Sequence, residues 1–368
     1  MTMSAAQIAM RTAIQKVATG PEYSKDLSLD EAYEATQFIL SAEADPVQTA
    51  IYFIALRMKR ETDDENKGVL KALIDNAEIV TAPVDELVDI ADPYDGHARG
   101  LPMAAFIPAV LAASGVPAVC HGLDAVGPKF GVTHRKVLSA AGINVSMNPK
   151  QAAERLANET AGWAYLDQSA FCPKLHDLVP LRTRMVKRQV LTTVEVLVGP
   201  LRGRKQTHLL TGYVHKAYPP IYAELARFAG FDSAMIVRGV EGGVIPSLQQ
   251  PAKVFWYKDK GEEQEITIDP THLGIQQETR AVPLPKDLPK AHSGDEISNE
   301  INPDVAATAA AEAGLAALQG KTGPARDSLV YSASLVLTHL GRYGSQSDAA
   351  DAVRKVLDSG KALAHFKA

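Results

Sequence analysis

Cysteine is nearly absent from this chain: two residues, Cys120 and Cys172, in 368. So few thiols exclude a disulfide-stapled scaffold, and neither has the spacing to Cys or His partners that a metal or redox motif needs. Both read as buried thiols in a reducing compartment. Long apolar runs are missing too. No stretch approaches the roughly 18 residues of a membrane span, and the first residues lack a basic segment followed by an apolar core. No charge of one sign dominates: 38 Lys and Arg stand against 43 Asp and Glu, a net charge of −5. That balance gives no global pull toward nucleic acid or a membrane, so any such affinity has to come from a local patch. What is plentiful is apolar residue, 46%, enough at this length to bury the cores of two domains. The expectation is a cytoplasmic protein with no membrane partner.

Residues 28–80 read as helices. Ser28-Leu29-Asp30-Glu31 is an N-cap followed by an acidic first turn, residues 48–58 repeat apolar positions at helical spacing, and Thr62 caps a segment carrying Val69, Leu70, Ala72 and Leu73. From residue 87 to about 166 the pattern changes to short β-branched runs alternating with helices, which signals a parallel sheet. Residues 87–91 and 116–119 read as strands, 103–113 as a buried helix, and a further helix ends at Gly142. Residues 171–198 look helical again, 209–212 and 233–237 are strands around a helix over 221–229, and 254–257 with 265–268 form a hairpin about Lys258-Asp259-Lys260-Gly261. Residues 283–301 read as an irregular surface connection, and helices over 303–318, 325–340 and 347–361 close the chain. The fold class is therefore α/β. A small all-helical domain, residues 1–83 joined in space by 171–198, stands beside a large α/β domain, residues 84–170 and 199–368, whose central sheet is mainly parallel.

Two loops follow the first two strands, and in a parallel sheet such loops face one cleft at the strands' carboxyl ends. The first, Asp92-Pro93-Tyr94-Asp95-Gly96-His97-Ala98-Arg99, offers Asp92, Asp95 and His97 for acid–base work or for holding a sugar hydroxyl. Asp-Pro and Asp-Gly are equally turn dipeptides. The second strand runs into His121-Gly122 and then a Gly-rich loop with Lys129, Thr133 and His134. His121 reads either as a ligand-orienting residue at a strand end or as a satisfied buried histidine, and His134 either as a base or as a loop residue bonded to backbone. Glu241, on a Gly-flanked loop after Arg238, binds a ligand or pairs with Arg238 or another nearby cation. Arg182, Arg184, Lys187, Arg188, Arg202, Arg204 and Lys205 place seven cations within 24 residues against one acid, Glu195. That run is a solvated face or an anion-binding surface. His208 and His215 have no metal spacing, and Trp163 and Tyr165 read as core.

With these segments laid out, the chain resembles anthranilate phosphoribosyltransferase and the other glycosyltransferase family 3 proteins over roughly residues 20–365. The likeness is carried by Ser28-Leu29-Asp30-Glu31-Ala32, by residues 55–62, by His121-Gly122 and Val198-Gly199-Pro200-Leu201, by the Gly-Pro-x-Arg-Asp core of residues 320–327, and by Asp358-Ser359-Gly360-Lys361-Ala362-Leu363. It implies the fold above and a homodimer through the helical domains. The departures fall on the family's chemistry. Its Gly-Thr-Gly-Gly-Asp pyrophosphate loop is replaced by Asp92-Pro93-Tyr94-Asp95-Gly96, where Pro93 has no N–H and the two acids repel phosphate. Its Asn-Ile-Ser-Thr falls on Pro102-Met103-Ala104-Ala105, and its magnesium-holding Asp-Glu pair on Val244 and Ile245, which cannot bind a metal. Arg182 matches the arginine of the family's aromatic-acid site, and Arg188 follows at the family's spacing.

This pattern, with Arg238-Gly239-Val240-Glu241-Gly242 and the Thr133-bearing loop, is similar to a branch of the family that keeps the fold but binds nucleic acid. The resemblance implies a divergent member that takes a phosphate-bearing small molecule or nucleic acid, with magnesium-dependent transfer lost and no cofactor or metal. The alternative is an active glycosyltransferase, of phosphoribosyltransferase or phosphorylase type, with an altered loop. The candidate ligand-binding set is Asp92, Asp95, Gly96, His97, Arg99, His121, Gly122, Lys129, Thr133, His134, Arg182, Arg188, Arg238 and Glu241. Arg184, Lys187, Arg202, Arg204 and Lys205 make up the anion surface.

Overall fold

The computed structural model describes residues 2–290 and 301–368. Helix entries follow from local sequence. α1 (Ala5–Val17), α2 (Leu29–Leu40) and α4 (Asp63–Asp75) each open with a capping box, Ser4 with Gln7, Ser28 with Glu31 and Thr62 with Glu65. α3 (Pro46–Lys59) opens on Asp45, whose carboxylate accepts the N–H of Val47 and Gln48. Glu65 does more than cap. Fully buried, it also accepts the N–H of Leu27 at 2.9 Å and an ion pair from Lys59 at 2.9 Å, so it ties the entries of α2 and α4 to the end of α3. α1 lies before the first helix expected from sequence.

The chain then runs through β1 (Val80–Thr81), β2 (Glu86–Ala91), α5 (Ile107–Ala113), β3 (Ala118–Gly122), α6 (His134–Ala140), α7 (Pro149–Ala157) and β4 (Trp163–Asp167). It returns to the bundle as four short helices, α8 (Gln168–Phe171), α9 (Pro173–His176), α10 (Val179–Met185) and α11 (Val190–Val194), where one helical stretch was expected. Pro173 cannot continue α8, and Val186 turns left-handed at φ 58° to end α10. β5 (Leu201–Arg202), β6 (Gln206–Gly212), α12 (Tyr218–Phe228), β7 (Ser233–Val237), β8 (Ala252–Tyr257) and β9 (Gln264–Ile268) complete the sheets. The closing helices are α13 (Pro303–Leu318), α14 (Pro324–His339), α15 (Gln346–Asp358) and α16 (Lys361–Lys367). The last is separate because Gly360, left-handed at φ 72°, stops α15 short of the expected residue 361. Of the irregular connection expected over 283–301, residues 291–300 lie outside the described residues; 283–290 carry no helix or strand.

The main sheet has the order β4-β3-β2-β6-β7-β8-β9, parallel from β4 to β7 and antiparallel at β8 and β9. β3 and β4 are buried at every residue, the mark of a parallel sheet covered on both faces, which is why these strands read as unbroken apolar runs. One face packs on α5 and α13–α16, the other on α7, α12 and the helical domain. Trp163 and Tyr165 lie in the first of these cores, Trp163 stacked on Phe366. Both cysteines are buried and unpaired. Strand order reverses direction at β2, whose neighbours are β3 on one side and β6 on the other. That is the switch point where open α/β sheets leave a ligand crevice.

Candidate functional site

Residues 92–100 leave β2 at this crevice and are strapped to the loop after β3. His97 and Val132 exchange both backbone hydrogen bonds, at 3.0 and 2.8 Å, and the Gly131 N–H reaches the Asp95 carbonyl at 2.8 Å. Glycine makes this crossing possible. A Cβ on Gly96 (φ 76°) would stand 2.6 Å from the Gly131 carbonyl carbon, and one on Gly131 2.6 Å from the His97 nitrogen.

Every acid of the first loop is bound to the protein's own donors. Asp92 Oδ1 accepts the Val244 N–H at 2.9 Å, and Oδ2 meets His97 Nε2 at 2.6 Å and His134 Nε2 at 3.4 Å. Burial pushes the Asp92 carboxyl up, but His97 and His134 reverse that and hold it far below the carboxylate range. For His97, burial disfavours the charged ring and Asp92 outweighs burial, so it titrates above its ordinary value. Asp95 is clasped by Arg188 through Nε at 3.0 Å and Nη2 at 2.6 Å, with Lys129 at 3.8 Å. Glu241 reaches across from the loop after β7. It takes the N–H of Arg99 at 2.7 Å, that of Ala98 at 3.1 Å and Lys129 at 3.3 Å. Burial opposes the Glu241 charge, yet His97, Lys129 and the two N–H groups keep its carboxyl below the usual value. Lys129 also donates to the Gly96 carbonyl. The partner of Glu241 is thus Lys129 and the loop backbone; Arg238 is exposed on the same segment.

Deeper residues serve packing. The His121 ring lies between the Tyr94 hydroxyl, 2.5 Å from Nδ1, and the Asp89 carboxylate, 2.7 Å from Nε2, all three groups buried. Burial and the charges of Glu195 and Asp89 push the Tyr94 hydroxyl well above its ordinary value. Gly122 lies beside Tyr165 and Tyr94, with no free surface. Thr133 caps α6, accepting the Lys136 N–H and donating to the Asp124 carbonyl. Arg182 is 1% exposed and forms a two-pronged pair with Glu195 at 2.6 and 2.7 Å, while Gln168 donates to the same acid.

A cleft of about 790 Å³ opens above these residues, between the strand ends and the helical domain. Asp95, Arg99, Lys129, Lys187, Arg188 and Glu241 line it, whereas Asp92 and His97 border a separate cavity of about 30 Å³, room for a water or two. Its far wall is aromatic: His215, Tyr218 and Tyr222 follow one another with ring centres 6.2 and 5.8 Å apart, and Arg57 donates to the Tyr218 hydroxyl at 2.6 Å. Burial, then the neighbouring Tyr218 hydroxyl and Asp95 carboxylate, push the Tyr222 hydroxyl well above its ordinary value. Sequence reasoning missed this wall, since its rings come from a loop and helix read only as connection and scaffold.

The seven expected cations do not share one surface. Arg182 is consumed by Glu195. Arg202 is half-buried, lies over the Phe231 ring and donates to the carbonyls of Val198 and Ala229. Arg204 and Lys205 sit at the amino ends of β2 and β6, where Lys205 pairs with Asp85, on the opposite edge of the sheet from the cleft. Of the seven, Lys187 and Arg188 line the cleft, and Arg184 is exposed on α10.

Residues 11–77 match the family model described as "Glycosyl transferase family, helical bundle domain", and residues 102–286 match "Glycosyl transferase family, a/b domain". An uncharacterised protein of Aquifex aeolicus is 30% identical over 267 residues, covering 72% of this chain and 75% of that one. The chain belongs to glycosyltransferase family 3. Among the family's curated members, an anthranilate phosphoribosyltransferase of Thermomicrobium roseum is 27% identical over 95% of this chain and 93% of its own. The crystal structure of anthranilate phosphoribosyltransferase from Thermus thermophilus superposes with a TM-score of 0.73 at 21% identity, covering 98% and 97% of the two chains. The Saccharomyces cerevisiae enzyme in complex with PRPP and Mg gives 0.75 at 15%, covering 97% and 96%. These structures share the fold. Both matched family segments stop short of residues 92–100, the loop that carries the acids.

Val244 and Ile245, which stand where the family resemblance puts a magnesium-holding pair, do not fit a cation. Val244 is fully buried in the core with its N–H given to Asp92, Ile245 packs against that core, and neither side chain has an oxygen. Among the described residues no helix is long and apolar enough to cross a membrane.

Proposed function

We propose that this glycosyltransferase family 3 protein binds a phosphate-bearing ligand in the large cleft, a nucleotide or nucleic acid strand, and has lost magnesium-dependent phosphoribosyl transfer. One observation carries the reading. The carboxylates of Asp92 and Asp95 and the N–H groups of Gly96, His97, Ala98 and Arg99 are paired internally, while the cleft rim keeps Arg99 and Lys187 without side-chain partners among the described residues, opposite the row His215, Tyr218, Tyr222. Unpaired cations facing a row of aromatic rings suit a phosphate joined to an aromatic base.

Calorimetry with phosphoribosyl pyrophosphate and magnesium is expected to give no binding tighter than about millimolar, roughly −4 kcal/mol. A micromolar, magnesium-dependent isotherm would return the protein to the transferase reading. Anisotropy titration with single- and double-stranded oligonucleotides across a salt series is expected to show affinity falling steeply with salt, because phosphate contacts release counterions. The reading extends to a cytoplasmic homodimer formed through the helical domains. Exposed Ile8 on α1 and Val47 and Ile51 on α3 support that contact, and sedimentation at micromolar concentration tests it.

A further inference from the structure

The Glu241 carboxylate is an anion already sitting in the donor set of an anion site. Two consecutive backbone N–H groups, of Ala98 and Arg99, and the Lys129 ammonium converge on its two oxygens at 2.7–3.3 Å. Adjacent N–H groups with a nearby cation are how backbone loops hold phosphate oxygens. The residue that delivers the carboxylate is held in an unusual backbone state: Glu241 has φ 56° and ψ 16°, left-handed for a residue with a Cβ, and Gly242 follows at φ 85°. Such conformations persist only where surrounding contacts impose them. Here they are the carboxylate's own contacts together with the loop's backbone bonds, Val240 N–H to the Ile245 carbonyl at 3.0 Å and Gly243 N–H to the Val240 carbonyl at 3.0 Å. Ala98, Arg99, Lys129 and Glu241 all line the large cleft, so the side chain has open space to swing into.

We infer that Glu241 is a resident stand-in for a ligand's phosphoryl group, and that a phosphomonoester or pyrophosphate enters this nest by displacing it. The inference rests on the proposal that the cleft takes a phosphate-bearing ligand, and adds that binding there is an exchange of one anion for another. Lys129, released from Glu241, then faces the incoming oxygens while Arg188 stays on Asp95.

The test uses the full chain and inorganic pyrophosphate without magnesium, followed by calorimetry at low salt. Glu241→Gly removes the carboxylate and suits the left-handed backbone. It is expected to bind pyrophosphate about ten- to a hundredfold more tightly than the wild type, the scale of one or two charge-assisted hydrogen bonds regained. Glu241→Gln should gain less, and adding Lys129→Ala to Glu241→Gly should erase the gain. A folded Glu241→Gly with unchanged pyrophosphate affinity overturns the inference even if the wild type binds oligonucleotides. A gain with no oligonucleotide binding upholds the nest and sinks the nucleic-acid reading alone. Should Glu241→Gly fail to fold, the wild-type amide resonances of Ala98 and Arg99 decide. Their movement on saturation with pyrophosphate supports displacement, and fixed resonances overturn it.

Discussion

The floor and the rim of the cleft are built from the same residue types and behave differently. Asp95 and Glu241 on the floor, and Asp92 and Glu195 buried beneath it, each meet a cation or a backbone donor within 3.3 Å. On the rim, Arg99 and Lys187 are exposed and, among the described residues, lack such side-chain partners. Charge on the floor is structural, because a buried ion left alone is costly, whereas charge on the rim is free to meet a ligand. The two regions should therefore respond in opposite ways to the loss of a charge.

The largest effect is expected at Arg182. Replacing it with Met strands Glu195 in the core and should destabilise the fold by about 3–5 kcal/mol in urea unfolding. A loss below about 1 kcal/mol would place Arg182 with the rim. Asp92→Asn comes next, at about 1–3 kcal/mol, since it weakens bonds from both His97 and the Val244 N–H. The pH dependence sharpens this. His97 titrates above its ordinary value, 6.5, in the folded state, so the pair contributes fully below 6.5 and its contribution is lost as pH rises through the folded value. Asp92 is depressed, so its share is present above 3.8 and lost as pH falls toward its folded value. Urea midpoints at pH 6 and pH 9 should thus differ more for the wild type than for His97→Gln; an equal difference would show that the pair does not titrate as described. The smallest effect on stability belongs to the rim. Arg99→Ala with Lys187→Ala should change unfolding by no more than about 0.5 kcal/mol. If a strand of nucleic acid binds there, the same double change should lower the salt slope of binding by about 1–2. An unchanged slope would remove these two cations from the interface.

Legibility in the sequence divides along the same line. The capping pairs at Ser28 and Thr62 and the alternation from residue 87 onward announced the bundle and the parallel sheet, because both signals are local. α1 escaped because its buried positions are few, Met10, Ala13 and Val17. The site was less readable, since its pairs join distant residues: Glu241 meets Ala98 across 143 positions and Arg188 meets Asp95 across 93. A local charge count also misleads when the chain turns. Arg182 and Lys205 are near in sequence, yet one is sealed against Glu195 and the other lies at the far edge of the sheet.

The crossing of Gly96 and Gly131 bears on how such a loop could change over time. Because the two backbones touch, the segment after β2 and the segment after β3 are inherited as a unit, and a substitution in one is judged by the other. Suppose the Gly-Thr-Gly-Gly-Asp of the family resemblance were introduced here one residue at a time. Replacing Asp92 first orphans the Val244 N–H and His97, at about 1–3 kcal/mol for each buried group left unmet, and replacing Asp95 first releases the half-exposed Arg188 from its pair. Each replacement would have to be accompanied by changes near residues 188 and 241, far along the chain. The loop is held in its present form as a ratchet holds a wheel, by neighbours whose side chains are paired to it.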